Sequence, residues 1–522
     1  MTHNLFLRLS LPLAAALVIA ACGDSAGLGG GGAVPGTPPV DPATLVFKAA
    51  SAQRVVSPTP AQIAGVMAGA APDTYLQQFN LGGYGGASVP DSLPALLHFD
   101  IGGDPASGNF TPIHLRALVL EGPDAAGVPQ RVAFLTLDAI GAGNIIQKRL
   151  AEAVSAASGI APENVLWGQT HTHSSADLQG IWGGVPLSWI DCSTADPATA
   201  CDPALQQGLY QLAAEAVAEA VANLKPAQLR LAATELTGEA RRNNFRRCNA
   251  DDSLVADPRL MVLQPVDANG AALGTLVQYT AHPTVLGGDN RQVHADYVAS
   301  LTRGIERRYG ATAVYFNGPI ADASPRAPDA ADAYQRAEAL GELLAQDVEN
   351  NLKANTRVLA APFNVAHADA FLVAANPLFT AVGAIRAFNG YYEFLPREAS
   401  SLPIPDALKA VLPQAVVGAT TRVSRLTLGE GASALEIVTI PGEATRSFGE
   451  SIRARATTPD MMLLGLTHDS LGYIIPTDEF AVSQLECGEP YEETVSLGAQ
   501  TVPLLDAQAY GPLFGQAALP AP

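Results

Sequence analysis

The chain has 522 residues, 48% of them apolar and 15% charged, so it can build a large core and is no disordered polyanion. Its net charge of -20 repels phosphate backbones and argues against nucleic acid as a partner. Length alone allows two to four domains, and the 48 Gly and 39 Pro imply many turns.

The first predicted element is a leader. Met1–Ser10 carries a single Arg8, and Leu11–Ala21 (LPLAAALVIAA) is an apolar run too short to span a bilayer as a mature helix. It ends Ile19-Ala20-Ala21-Cys22, similar to a bacterial lipoprotein signal in which Cys22 is lipidated and becomes the mature N-terminus. The alternative is ordinary cleavage after Ala20-Ala21 with Cys22 free. Gly23, and no Asp, follows the cysteine. In Gram-negative sorting this favours the outer membrane, with the protein on its periplasmic or surface face. Residues 1–22 are thus expected to be a signal peptide and 23–44 a Gly/Pro-rich tether.

Residues 45–522 read as one large α/β domain. Its expected core is a mixed, mostly parallel sheet with flanking helices. Val132–Leu137 predicts a buried strand, Ile145–Ala157 a helix and Asn164–Gly168 a second strand, together a βαβ unit. An Ala-rich helix is expected over 203–224, and strands over 227–237 and 261–267. Asp267-Ala268-Asn269-Gly270 signals a tight turn, with Gly274–Ala281 returning as a strand. Helices over 296–309 and 331–352 flank a strand at 311–316. The last third is richer in strands and includes Ala434–Ile440, with a short helix after Glu443. No later run is apolar and long enough for a membrane helix.

Four cysteines besides Cys22 permit two disulfides in an exported chain, Cys192 with Cys201 across a short loop and Cys248 with Cys487. No C-x-x-C spacing offers a cysteine metal site.

The chemistry is expected at strand ends, where crevices of α/β sheets open. A catalytic zinc takes three or four N/O ligands, and water bound to it ionises near neutral pH. Five stretches fit that position. His171-Thr172-His173 follows a strand, and residues i and i+2 of an extended chain share a side. Ala281-His282-Pro283-Thr284 ends the returning strand, where Pro283 stops pairing. Asp322-Ala323-Ser324-Pro325 lies in a Gly/Pro loop that lacks a G-x-S-x-G elbow, so a serine hydrolase fits poorly. Ile440-Pro441-Gly442-Glu443 puts an acid between strand and helix, where it could also complement the helix N-terminus. Leu471-Gly472-Tyr473-Ile474 offers a phenol. Taken singly, each is as readily a solvated, capping or core residue.

Taken in this order, T-H-T-H-S, H-P-T, D-x-S-P, P-G-E and G-Y-I resemble the neutral ceramidase family. The resemblance also runs through Asp257–Ser300 and Ala434–Ala456 and covers roughly residues 95–510. It implies a zinc amidase holding Zn2+ through His171, His282, Glu443 and Tyr473. It further implies that His173 stabilises the oxyanion and that Ser324 hydrogen-bonds the reacting centre. Arg242 or Arg246 matches the family's arginine, although its Ser-Pro is missing from Glu239–Arg247. Asp322 belongs to the same loop as Ser324. Asp296 matches an acidic position near the site, or else simply caps the helix that follows. The implied reaction is attack of zinc-bound hydroxide on the amide of ceramide or a related N-acyl lipid, giving a fatty acid and a sphingoid base. Another amide, a peptide or an ester is the alternative substrate, and a non-catalytic lipid-binding lipoprotein the alternative role.

Two departures bear on substrate. The β-sandwich domain of full-length family members is expected to be absent, because the chain ends soon after Tyr473. The usual T-H-T-H-S-G-P becomes His173-Ser174-Ser175-Ala176-Asp177, which alters the loop beside the metal.

Overall fold

A computed structural model describes residues 40–56, 112–175, 177–179, 208–236, 240–242, 256–290, 293–377, 379–380, 391–480 and 491–516. Cys22, Cys192, Cys201, Cys248, Cys487 and Arg246 lie outside them, as does the leader. No helix among the described residues is long and apolar enough to cross a membrane.

Alternating apolar residues build the main sheet. Its strands are β1 (Phe47–Val55), β2 (His114–Pro123), β3 (Pro129–Leu137), β4 (Val165–Gln169), β5 (Lys225–Glu235), β7 (Arg259–Val266), β8 (Thr275–Tyr279), β9 (Ala313–Asn317) and β11 (Arg357–Leu359). A short β6 (Ala240–Arg242) and β10 (Ala323–Pro325) pair with each other beside it. Order across the sheet is β4-β3-β2-β1-β5-β7-β8-β9, with β11 beside β5. The sheet is mixed, as expected, but most of its pairings are antiparallel. Only β3–β4 and β8–β9 run parallel in it. The expected βαβ unit is present, with α1 (Asn144–Ser158) between β3 and β4. The hairpin at Asp267–Gly270 pairs β7 with β8, and Gly270 takes the positive φ that such a turn needs.

Both faces of this sheet are covered, so its strands are buried along nearly their whole length. Leu115, Ala117 and Val119 of β2 join the core shared with α1 and α2 (Leu209–Ala222). At the other end of that face, Val277, Tyr279 and Tyr315 pack with α3 (Tyr297–Tyr309) and α4 (Ala333–Asn355). Asp296 accepts the Tyr297 amide at the start of α3, and Asp332 accepts the Gln335 amide and caps α4. On the opposite face Leu118, Phe134 and Phe316 meet Leu426, Ile437 and Met462 of a second sheet.

That second sheet contains β12 (Phe363–Val373), β13 (Leu395–Glu398), β14 (Ala415–Leu428), β15 (Leu435–Thr439) and β17 (Asp460–Leu464). Its far face packs on α5 (Arg446–Arg453) and on the helical segment at 501–514. The result is four layers, helix, sheet, sheet and helix. A two-stranded parallel pair, β16 (Glu443–Ala444) and β18 (Tyr473–Ile474), lies just past the ends of β15 and β17.

Candidate metal centre

The layers bring four strand ends to one place. His171 follows β4, His282 follows β8, and Glu443 and Tyr473 face each other across the β16–β18 pair. All four are at least nine-tenths buried. His171 Nε2 lies 3.2 Å from Glu443 Oε2, and His282 Nε2 lies 3.3 Å from the same oxygen. His173 Nε2 is 3.2 Å from His171 Nε2. The three imidazoles therefore form one compact, buried group able to hold a metal ion.

Backbone carbonyls decide which ring nitrogens face inward. His171 Nδ1 sits 2.5 Å from Ile140 O, and His282 Nδ1 sits 2.9 Å from Ala323 O. Each Nδ1 must carry the proton to donate there, which leaves the Nε2 lone pairs pointing toward the Glu443 carboxylate. Three electron-pair donors this close repel one another unless a cation lies among them. Zinc ligands about 2.0–2.1 Å from their ion stand roughly 3.3 Å apart in a tetrahedron, which matches the observed spacings. The donor set therefore fits a divalent ion.

Burial raises the Glu443 carboxyl, and only positive charge at the facing nitrogens, from ring protons or a bound ion, brings it below the usual carboxylate range. Burial pushes the Tyr473 phenol well up, and the Glu443 charge adds to this. So Tyr473 is a neutral phenol in the protein without an ion.

The rings of His171 and His173 meet as expected, but by a different route. His171 has φ 66°, in the left-handed region, so the segment turns and is not extended. Such backbone strain in a non-glycine residue recurs at functional sites. The turn is held by the His171 amide on Ala139 O and by Thr172 Oγ1 on His294 O. Ser175, in the stretch that departs from the family pattern, donates to Asp138 O.

The other expected residues fall around this centre. Ser324 adjoins Ala323, whose carbonyl accepts both the backbone and the ring nitrogen of His282. Its strand pairs with Ala240–Arg242, which brings the backbone of Arg242 beside that loop. Asp322 Oδ1 accepts the Arg446 amide at the start of α5, so its carboxylate serves the helix. Asp296 is the cap of α3 and also accepts the Leu286 amide. Burial raises its carboxyl to about 6 against those donors.

Two neighbours were missed. Tyr491 packs edge-on against Tyr473 with centroids 6.0 Å apart. Glu492, next to it, is pushed up to about 7, chiefly by burial and also by the charges of Glu493 and Glu443. Their stretch, Tyr491-Glu492-Glu493, carries no pattern that could have signalled the site.

A turn at Gly465–His468 ties these segments together. Its amides reach Asn317 O, Gly442 O, Ile440 O and Trp167 O in succession. His468 has φ 69° and hydrogen-bonds Ser424 Oγ through Nε2 at 2.7 Å. Burial lowers its imidazole to about 3, with His367 and Arg422 adding to the effect. The unfolded chain takes up this proton near pH 6.5, and the fold resists it until about pH 3. The neutral ring's contribution to stability is thus full above pH 6.5 and lost as the pH falls toward 3. Asn tolerates a positive φ, so His468→Asn is the informative variant. Relative to the parent it is expected to gain about 2–3 kcal/mol between pH 7.5 and 4.5. Urea unfolding of both proteins at the two pH values measures this, and parallel pH dependences would contradict it. Asp296 and Asp469, whose carboxyls burial raises, titrate in both proteins and cancel.

The fold and site together define a mixed α/β protein with a metal-capable cluster at its strand ends. No family model and no curated protein matches the chain. Among solved structures it is similar to neutral ceramidase from Pseudomonas aeruginosa, at 15% identity and a TM-score of 0.57, over 91% of this chain and 76% of that one. A ceramidase complexed with C2 matches at 14% identity with the same TM-score and coverage. The chain has a neutral ceramidase-like fold.

Proposed function

We propose that this chain is a metal-dependent amidase of N-acyl lipids, with ceramide as default substrate and zinc as default ion. One observation carries the reading. His171, His282 and Glu443 converge their electron-pair donors at tetrahedral spacing, at strand ends of a fold shared with a bacterial neutral ceramidase.

His171, His282, Glu443 and Tyr473 are the residues that would hold the ion. A bound divalent ion supplies Lewis-acid polarisation and makes water acidic enough to act near neutral pH. The chain's own groups do the rest. Ile140 O and Ala323 O keep both ligand imidazoles in one tautomer. His173, at the edge of the cluster, donates to the amide oxygen as negative charge develops there. Ser324 orients the scissile amide from the neighbouring loop, and Arg242 or Arg246 adds positive charge to the same oxygen. The amine leaves protonated, and the products are a fatty acid and a sphingoid base.

The test is metal content together with hydrolysis of a fluorogenic short-chain ceramide on one preparation. We expect close to one equivalent of ion and turnover that chelation abolishes. No ceramide turnover by zinc-loaded protein would end the substrate claim. Chelator-sensitive hydrolysis of an ester or peptide alone would make it another metallohydrolase. A protein that takes up no ion would favour the alternative of a non-catalytic lipid-binding lipoprotein.

The N-terminal pattern supports export and membrane attachment through a lipid on Cys22. Mass spectrometry of the mature N-terminus is expected to find acylated Cys22, and Cys22→Ala should release the protein from membranes. An unmodified cysteine would refute the anchor.

A further inference from the structure

His171 and His282 are 111 positions apart in sequence, yet the residue preceding each is joined to the other by buried side chains. Asn317, the last residue of β9, donates Nδ2 to Thr170 O at 2.7 Å, immediately before His171. Its Oδ1 lies 2.8 Å from the Tyr315 hydroxyl. That hydroxyl lies 2.8 Å from the hydroxyl of Tyr297, the first residue of α3. Tyr297 in turn reaches Ala281 O at 2.7 Å, immediately before His282, and the Tyr315 hydroxyl also lies 3.2 Å from Tyr279 O, so the two hydroxyl protons are shared among these contacts. Asn317, Tyr315 and Tyr297 are almost fully sealed from solvent. The backbone carbonyl of Asn317 also accepts the Gly465 amide, which fastens the same point to the turn that reaches Gly442 beside Glu443.

Phe in place of either tyrosine would fill the apolar space equally well. Tyr297 and Tyr315 stand in a core of Val277, Tyr279, Val298 and Leu301, which needs rings but no hydroxyls. A buried hydroxyl without a partner is costly, so these are kept where they connect polar groups. Here Tyr297 ends on Ala281 O, before His282, and Tyr315 meets Asn317, whose amide ends on Thr170 O, before His171. Groups behind a ligand that fix its orientation are known to govern metal affinity.

We infer that Asn317, Tyr315 and Tyr297 form a hydrogen-bonded strut that sets the separation of His171 and His282, and that they are positioning residues for the ion. This rests on reading the His171–His282–Glu443 cluster as the ion site. The strut joins the two edges of the main sheet, from the end of β4 across the end of β9 to the end of β8. Losing one member frees one histidine to drift, while the packing of the sheet stays in place.

The experiment compares Tyr297→Phe, Tyr315→Phe and Asn317→Ala with Tyr309→Phe, a control at the other end of α3 whose hydroxyl has no hydrogen-bond partner among the described residues. Crystal structures of the chelated proteins read the His171–His282 ring separation, 5.0 Å between centroids in the parent. Chelator competition and the visible spectrum of the Co2+-loaded proteins read the site itself. In the three strut variants we expect a wider or doubled ring arrangement, Co2+ and Zn2+ affinities about 10–100-fold weaker and altered Co2+ absorption bands. Tyr309→Phe should match the parent in all three. Unchanged ring separation in the strut variants, or equal losses in Tyr309→Phe, would overturn the strut. Because ring separation is read without metal, a parent that binds no ion would refute the amidase reading while the strut is still decided.

Discussion

Glu443→Gln is expected to leave a folded protein that no longer retains its ion and hydrolyses ceramide at least about a thousandfold more slowly. The side chain keeps its shape, and its oxygen can remain near His171 and His282, now 3.2 and 3.3 Å away. What disappears is the negative charge. That charge is sustained in a buried position only by positive charge placed between it and the two imidazoles. An amide oxygen is a far poorer ligand for a hard or borderline cation than a carboxylate. The amide can also donate to an Nε2 lone pair, which relieves donor repulsion without metal. The chelated variant is therefore expected to be at least as stable as the chelated parent. This combination separates a ligand from an ordinary buried ion pair, because breaking a purely structural pair would lower stability as well. Metal analysis, ceramide turnover and urea midpoints on the same preparations check it. Full ion occupancy in Glu443→Gln, or a large loss of apo stability, would remove Glu443 from the ligand set.

Much of this architecture was legible along the chain, for identifiable reasons. Strands such as Val132–Leu137 and helices such as Tyr297–Tyr309 announce themselves through local periodicity and a cap at Asp296. The positions of His171, His282, Glu443 and Tyr473 at strand ends follow from the same elements. Pairing direction did not, because β1, β2 and β5 associate over long separations that no local pattern encodes. A parallel majority was expected from the alternation of helices and strands, and antiparallel neighbours interrupt it. The left-handed turn at His171 was equally hidden, since histidine carries no signal for positive φ. Nothing in the sequence singles out Tyr297 or Tyr315, because what distinguishes them is where their hydroxyls end. Tyr491 and Glu492 reach the centre only through the tertiary fold.

Arg116→Leu is expected to cost about 3–5 kcal/mol, because it strands buried carboxylates beneath the metal centre. Arg116 Nη1 binds Asp138 Oδ2 at 2.9 Å, and its Nε lies 3.6 Å from Glu306 Oε1. Asp138 is fully buried, and Oδ2 also accepts the His114 amide. Burial raises the Glu306 carboxyl, and Arg116 is the main group opposing that rise. Without the cation the Glu306 carboxyl shifts further toward the protonated form. Its folded value lies further above the unfolded one, so stability in the variant should return as the pH falls from 7.5 toward 5. The parent, in which Arg116 opposes that rise, should recover less. The site feels the change directly, because Asp138 O accepts Ser175, and Ala139 O and Ile140 O hold the backbone and ring of His171. A second substitution, Asp138→Leu, should restore part of the loss, since an apolar pair of similar volume avoids the unpaired charge. Urea unfolding of the two single variants and the double variant yields the coupling energy. A loss below about 1 kcal/mol in Arg116→Leu, or strictly additive losses in the double variant, would show that this pair does not brace the His171 turn.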